Sequence, residues 1–149
     1  MKRLIQTLFG KADHSPSPET DPHVAAAALL VEAALVDGVY ADSEQAEILS
    51  ILQDAFAMEE SRAQAVLDEA ETLAEHAVDH FRFTKVVKSC LPETERVALV
   101  EHLFAVALAD GHRSAIEESF VRRIAPLLAV DDRQRAFARS RAEAKVRGH

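Results

Sequence analysis

The stretch ALVDGVYADSE, residues 34–44, has a counterpart in ALADGHRSAIE, residues 107–117. Each closes a long apolar run on Asp-Gly, and each places a glutamate seven residues after the aspartate. With Asp37 laid on Asp110, a constant offset of 73 aligns Val24 with Val97, Leu30 with Leu103, Leu35 with Leu108 and Gly38 with Gly111. The same offset carries Glu44 onto Glu117, Ile48 onto Val121 and Ile51 onto Ile124. The pattern reads as an internal duplication of one unit: an apolar helix, an Asp-Gly turn and an amphipathic helix.

Neither apolar run can lie on a surface. From residue 23 to 36 only His23 and Glu32 interrupt it, and from 97 to 109 only Glu101 and His102 do. Helices apolar on nearly all sides must be enclosed by other elements. The first run is rich in alanine, Ala25 to Ala28 with Ala33 and Ala34, which lets neighbouring helices approach closely. Four glycines, five prolines, no tryptophan and heavy use of Ala, Leu, Glu and Arg complete an all-α composition. The expected fold is a single helical bundle of seven or eight helices with an internal two-fold repeat, its repeats at about 22–57 and 95–130.

The helices follow from their punctuation. Asp21 and Pro22 suit the N-cap and first turn of a helix running to 37. Asp42 as N-cap with Gln45 at N3 predicts a capping box for a helix over 43–56. Another follows Met58, with Val66, Leu67, Ala70, Leu73, Ala74 and Ala77 at helical spacing. A shorter one holds Phe81, Phe83, Val86 and Val87, and Pro92 restarts the chain into a helix over 93–110. Ser114 with Glu117 predicts a capping box for the next, and Asp131 opens the last. Residues 1–21 form a separate region: an amphipathic MKRLIQTLFGK with Leu4, Ile5, Leu8 and Phe9 on one face, then the linker ADHSPSPETDP. The helical domain occupies 22–149.

Charge and cysteine usage narrow the function. The net charge of −8 argues against general affinity for nucleic acid. Residues 131–149 nevertheless hold six basic and three acidic side chains, while the other 130 residues hold 11 basic and 22 acidic. This basic C-terminal helix reads as a solvated one. No apolar run is long enough to cross a membrane; the N-terminal helix could make only a weak membrane-surface contact. The single cysteine, Cys90, cannot form an internal disulfide, suits a reducing compartment and is expected to be at least partly buried. A cytoplasmic protein with a protein partner is the expectation.

The paired motifs, Ala34-Leu35-Val36-Asp37-Gly38 to Glu44 and Ala107-Leu108-Ala109-Asp110-Gly111 to Glu117, together with RRIAPLLAV at 122–130, resemble the tellurite-resistance TerB-like family. The resemblance spans about residues 22–135. It implies an all-helical domain and a link to bacterial stress-response systems, and it does not imply an enzyme. It also makes the acidic motif residues candidates for metal binding. This chain departs from the most acidic versions of the motif at Val39, Tyr40, His112 and Arg113.

Two readings of the acids stand side by side. Gly38 and Gly111 suit the left-handed residue that ends a helix. An aspartate in the last turn, however, faces the negative end of the helix dipole, where a cation would be favoured by about 0.3–1 kcal/mol. Either it anchors the turn by accepting amide hydrogen bonds, or Asp37 with Glu44 and Asp110 with Glu117 supply oxygens to calcium or magnesium. An EF-hand is excluded, since Val39 and Ala41 fall where that loop needs oxygen ligands. His76 and His80, four apart, are a weaker candidate pair for a transition metal. His102 beside Glu101 reads as a core or rim histidine, and no catalytic constellation is evident.

Overall fold

The computed structural model describes residues 20–36, 38–76, 81–109 and 115–147, apart from the side chains of residues 115–117 and 147. Seven helices are present among them: α1 (Pro22–Leu35), α2 (Asp42–Asp54), α3 (Glu60–His76), α4 (Phe81–Cys90), α5 (Glu93–Leu108), α6 (Ala115–Leu127) and α7 (Asp132–Arg147). No strand occurs among the described residues. The expected N-terminal helix and most of its linker, residues 1–19, lie outside them.

α1 is the centre of the bundle. It packs against α2, α3, α4, α5 and α6, and every residue from Val24 to Val31, with Ala33 and Ala34, is buried. The alanines permit this crowding, because a methyl side chain leaves the shortest distance between helix axes. α5, the second apolar helix, packs against α1, α2 and α6 and most extensively against α7. Around the two lie buried side chains from every other helix, including Ile48 and Leu52 of α2, Leu67 of α3, Phe83 of α4, Ile124 of α6 and the smaller Ala142 of α7.

Element ends follow the offset of 73. α1 and α5 end at Leu35 and Leu108, α2 and α6 begin at Asp42 and Ala115, and they end at Asp54 and Leu127. Burial follows it too: Leu30 and Leu103 are fully buried, as are Ile48 and Val121. α1 begins as expected, with Asp21 Oδ1 accepting from His23 N at 2.8 Å and Pro22 in the first turn. The same carboxylate meets Arg62 of α3 at 3.2 Å and so ties the entry of α1 to a neighbour.

Two helix starts differ from expectation, and a third stands as expected with an added partner. α2 begins one residue early: Ala41 is the N-cap, and Glu44, not Gln45, occupies N3. Glu44 there accepts from the Ala41 amide, and a second acidic side chain near the dipole's positive end is gained by admitting Asp42 to the first turn. Pro92 is the N-cap of α5 rather than its first helical residue. At α7 Asp131 is joined by an unforeseen partner: Asp131 Oδ1 accepts from Gln134 N at 2.7 Å while Gln134 Oε1 accepts from Asp131 N at 3.1 Å, a complete capping box.

The close approach around α1 is testable. Ala27→Leu inserts three heavy atoms where no surface is exposed and should destabilise the fold by about 1–3 kcal/mol. Ala136→Leu, on an exposed position of α7, should change stability by less than about 0.5 kcal/mol. Chemical denaturation of both variants checks the contrast.

Candidate functional site

The first Asp-Gly motif lies in the turn from α1 to α2. Gly38 has φ +86°, and a Cβ there would meet nothing within 4 Å, so the glycine is required by backbone conformation and not by crowding. Its amide donates to Leu35 O at 2.9 Å, closing the end of α1. The neighbouring Val39 is 63% exposed. Asp37 itself lies outside the described residues.

Beyond the glycine the chain builds a polar cluster. Glu44 is almost wholly buried, at 1% exposure, and its Oε1 accepts from Ala41 N at 3.0 Å. The Tyr40 hydroxyl donates to Glu71 Oε2 at 2.7 Å, and Gln45 Nε2 donates to the same oxygen at 3.0 Å. Burial, the hydrogen bond to Glu71 and the charges of Glu71 and Glu44 together push the Tyr40 phenol far above its ordinary range. The phenol is therefore a fixed donor, and two carboxylates from different helices converge on it. Glu71 was invisible to sequence reasoning because it lies on α3, 31 residues from Tyr40. Its neighbours Asp68, Glu69 and Glu75 present the same helical signal of a solvated acidic face.

Less of the second motif is described. Asp110 and the turn residues 111–114, with the expected Ser114 cap, lie outside the described residues, as does the side chain of Glu117. The His76–His80 pair is likewise incomplete, since His80 lies outside them, and the exposed His76 sets its Nδ1 2.8 Å from Thr72 O. No group of three His, Cys, Asp or Glu side chains placed to hold a metal occurs among the described residues.

A second polar site was missed altogether. Glu101, one of the two interruptions in the apolar run of α5, is buried, and it is held by two cations from α7: Arg141 Nε at 3.1 Å and Lys145 Nζ at 2.6 Å. Arg139 extends the docking, meeting Glu118 of α6 at 2.9 Å and Glu143 of its own helix. The solvated reading of the basic C-terminal helix gives way here: much of its charge neutralises acids of α5 and α6. The signal lay in the sequence as a lone acid inside an apolar run and a basic helix with no stated partner.

His102, next along α5, is half-buried as expected. Its ring stands edge-on to Phe56, 6.2 Å between centroids, and Phe56 in turn stacks at 5.0 Å on His23 of α1. Burial lowers the His102 pKa below 6.5, against the raising effect of Glu101 and with help from Lys145. Cys90 departs from expectation: it is exposed, because it falls with Lys88 and Ser89 on the outer face of the last turn of α4, while Val87 and Leu91 hold the core.

Two predictions follow from the α5 site. Removing Glu101 leaves two cations that are already more than half exposed, whereas removing both cations strands a buried carboxylate. Glu101→Gln should thus cost about 1 kcal/mol, and Arg141→Met with Lys145→Met about 3 kcal/mol or more, by urea denaturation at neutral pH. His102 is neutral in the fold more readily than in the unfolded chain, so its contribution is full above pH 6.5 and is lost as pH falls through its lowered value. His102→Leu should flatten the stability loss as pH falls below 6.5 relative to the wild type; parallel stability curves would refute that assignment.

A family model described as tellurite resistance protein TerB matches residues 23–140. No curated protein and no solved structure matches the chain.

Proposed function

The chain belongs to the tellurite-resistance TerB family, its match covering α1 through most of α7, and on that premise we propose a non-enzymatic stress-response and interaction module that holds a hard divalent cation at its first Asp-Gly motif. One observation carries the cation reading: the carboxylates of Glu71 on α3 and the buried Glu44 on α2 flank the turn at Tyr40 and Ala41, the first accepting from the Tyr40 hydroxyl at 2.7 Å and the second from the Ala41 amide at 3.0 Å. Like charges brought together at a partly buried place are disfavoured, and a cation relieves them.

The donor chemistry fits calcium or magnesium. Tyr40, Glu44, Gln45 and Glu71 offer oxygen, with no thiol or imidazole that would favour a softer metal. A carboxylate has room for about four partners, so Glu44 can cap Ala41 and still serve a cation. Glu44 and Glu71 would hold the ion together with Asp37 of the motif; it would supply positive charge that fixes the α1–α2 turn against α3. The offset of 73 makes Asp110 and Glu117 the corresponding candidates in the second motif, which has Arg113 in place of Tyr40 and so offers a poorer oxygen set. A cytoplasmic setting accords with the exposed thiol of Cys90.

A second reading is favoured by the cap on Ala41: Glu44 is a structural anchor of the α2 N-terminus and no ion binds. Thermal unfolding separates the two. In the cation reading, millimolar calcium or magnesium stabilises the wild type over chelator, by about 2.7 kcal/mol at one hundred times Kd. Asp37→Asn and Glu71→Gln abolish the shift. If the wild type melts identically with chelator and with either ion, the anchor reading stands; Glu44→Ala should then still cost about 1 kcal/mol, through loss of the cap.

A further inference from the structure

We propose that Arg139 is a built-in cation: in the second half of the bundle its guanidinium takes the place that the first half leaves open to a divalent ion, so the folded chain binds one such ion and not two. This rests on the cation reading of the first motif and sets its stoichiometry.

The repeat extends to a third pair of helices, α3 and α7, at an offset of 72. The chain passes through positive φ at Ala57, 54°, before α3 and at Ala129, 58°, before α7. Both turns are closed alike, Met58 N donating to Leu52 O at 3.1 Å and Val130 N to Ala125 O at 3.0 Å. Leu52 and Ala125 still obey the offset of 73, so the second turn is one residue shorter. Beyond it, the buried Val66 and Ala70 of α3 fall on the buried Ala138 and Ala142 of α7.

The shorter offset lays Glu71 on Glu143, and the longer one lays Gln45 on Glu118. In the first half a neutral amide faces the carboxylate: Gln45 Nε2 donates to Glu71 Oε2 at 3.0 Å. In the second half both positions are acids, and a guanidinium joins them. Arg139 meets Glu118 Oε1 through Nε and Nη2, each at 2.9 Å, and meets Glu143 through Nη1. The two carboxylates are only 15% and 16% exposed, and charges held so far from water need a partner. On α3 the residue equivalent to Arg139 is the fully buried Leu67. The positive charge that α3 lacks at this place is carried by α7 on its own side chain.

A tethered cation excludes a free one. The planar guanidinium fork takes the oxygens that an ion would use, and an ion set beside it would be repelled in a place with little water to screen the two charges. Arg113, at the sequence position of Tyr40, brings further positive charge to the second motif.

The test compares Glu71→Gln, which disables the first site, with the full chain carrying both Glu71→Gln and Arg139→Met, so its result does not depend on whether the first motif binds an ion. Thermal unfolding is followed in chelator, in millimolar calcium or magnesium chloride, and in sodium chloride of equal ionic strength. Calcium or magnesium should raise the melting temperature of the double variant by about 3 °C or more over sodium and leave that of Glu71→Gln unmoved. Adding Glu143→Gln should abolish the gain, and Arg139→Lys in place of Arg139→Met, which keeps the charge, should show none. Because Arg139→Met strands two carboxylates, Glu118→Gln with Arg139→Leu serves as a second variant: it restores the arrangement of Gln45, Leu67 and Glu71 with one acid fewer, and it should show the same gain. The proposal is overturned if these variants gain no more from calcium or magnesium than from sodium, or no more than Glu71→Gln alone. It is equally overturned if calorimetric titration of the wild type with calcium gives two ions per chain. A wild type that binds no ion defeats the reading of the first motif, and the Arg139 comparison then decides the built-in cation by itself.

Discussion

An α-helix that is apolar on every side has to be surrounded, and α1 imposes that constraint on the whole molecule. Its ten buried residues meet five other helices, and no arrangement of two or three helices could cover them. Fully burying one leucine contributes about 1.5–3 kcal/mol, so exposing even one face of α1 would remove a large part of a typical domain's stability of about 5–15 kcal/mol. The alanines make the enclosure geometrically possible. Larger side chains at Ala25 to Ala28 would hold the surrounding helices apart and open the core they are meant to close.

Polar chemistry is pushed by this arrangement to the ends and outer seams of the helices. At the α1–α2 turn a glycine with positive φ reverses the chain, and Glu44 turns back onto Ala41. Tyr40 then reaches Glu71 on α3. At the α5–α7 seam a buried acid is met by two cations from the last helix. Both places satisfy a carboxylate that burial would otherwise make costly, and they do so differently: the first gathers acids around a phenol, the second neutralises one acid with a surplus of base.

The fold was legible because its determinants are local and repeated. An apolar run, a glycine and a capped amphipathic helix are each readable within about fifteen residues, and the offset of 73 checks one copy against the other. The boundary of α2 was missed by one residue because Asp42 and Gln45 make as good a capping pattern on paper as Ala41 and Glu44. Only burial of Glu44 separates them, since it points that side chain inward and frees Gln45 for Glu71. Glu71, Arg141 and Lys145 were illegible for another reason. Their partners lie 26 to 44 residues away, and nothing in the spacing of exposed charges on α3 or α7 tells which one faces inward.

The central claim is that enclosure of α1 holds the rest in place, and amide hydrogen exchange on the folded chain tests it most directly. Amides of α1 from Ala26 to Leu35, all bonded within the helix and almost all on buried residues, should exchange only through global unfolding, with a free energy equal to that from denaturation. Those of α7, on the outside, should open at lower cost. If α1 exchanges faster than α7, or at a free energy well below global unfolding, the helix is not the enclosed centre and the account fails.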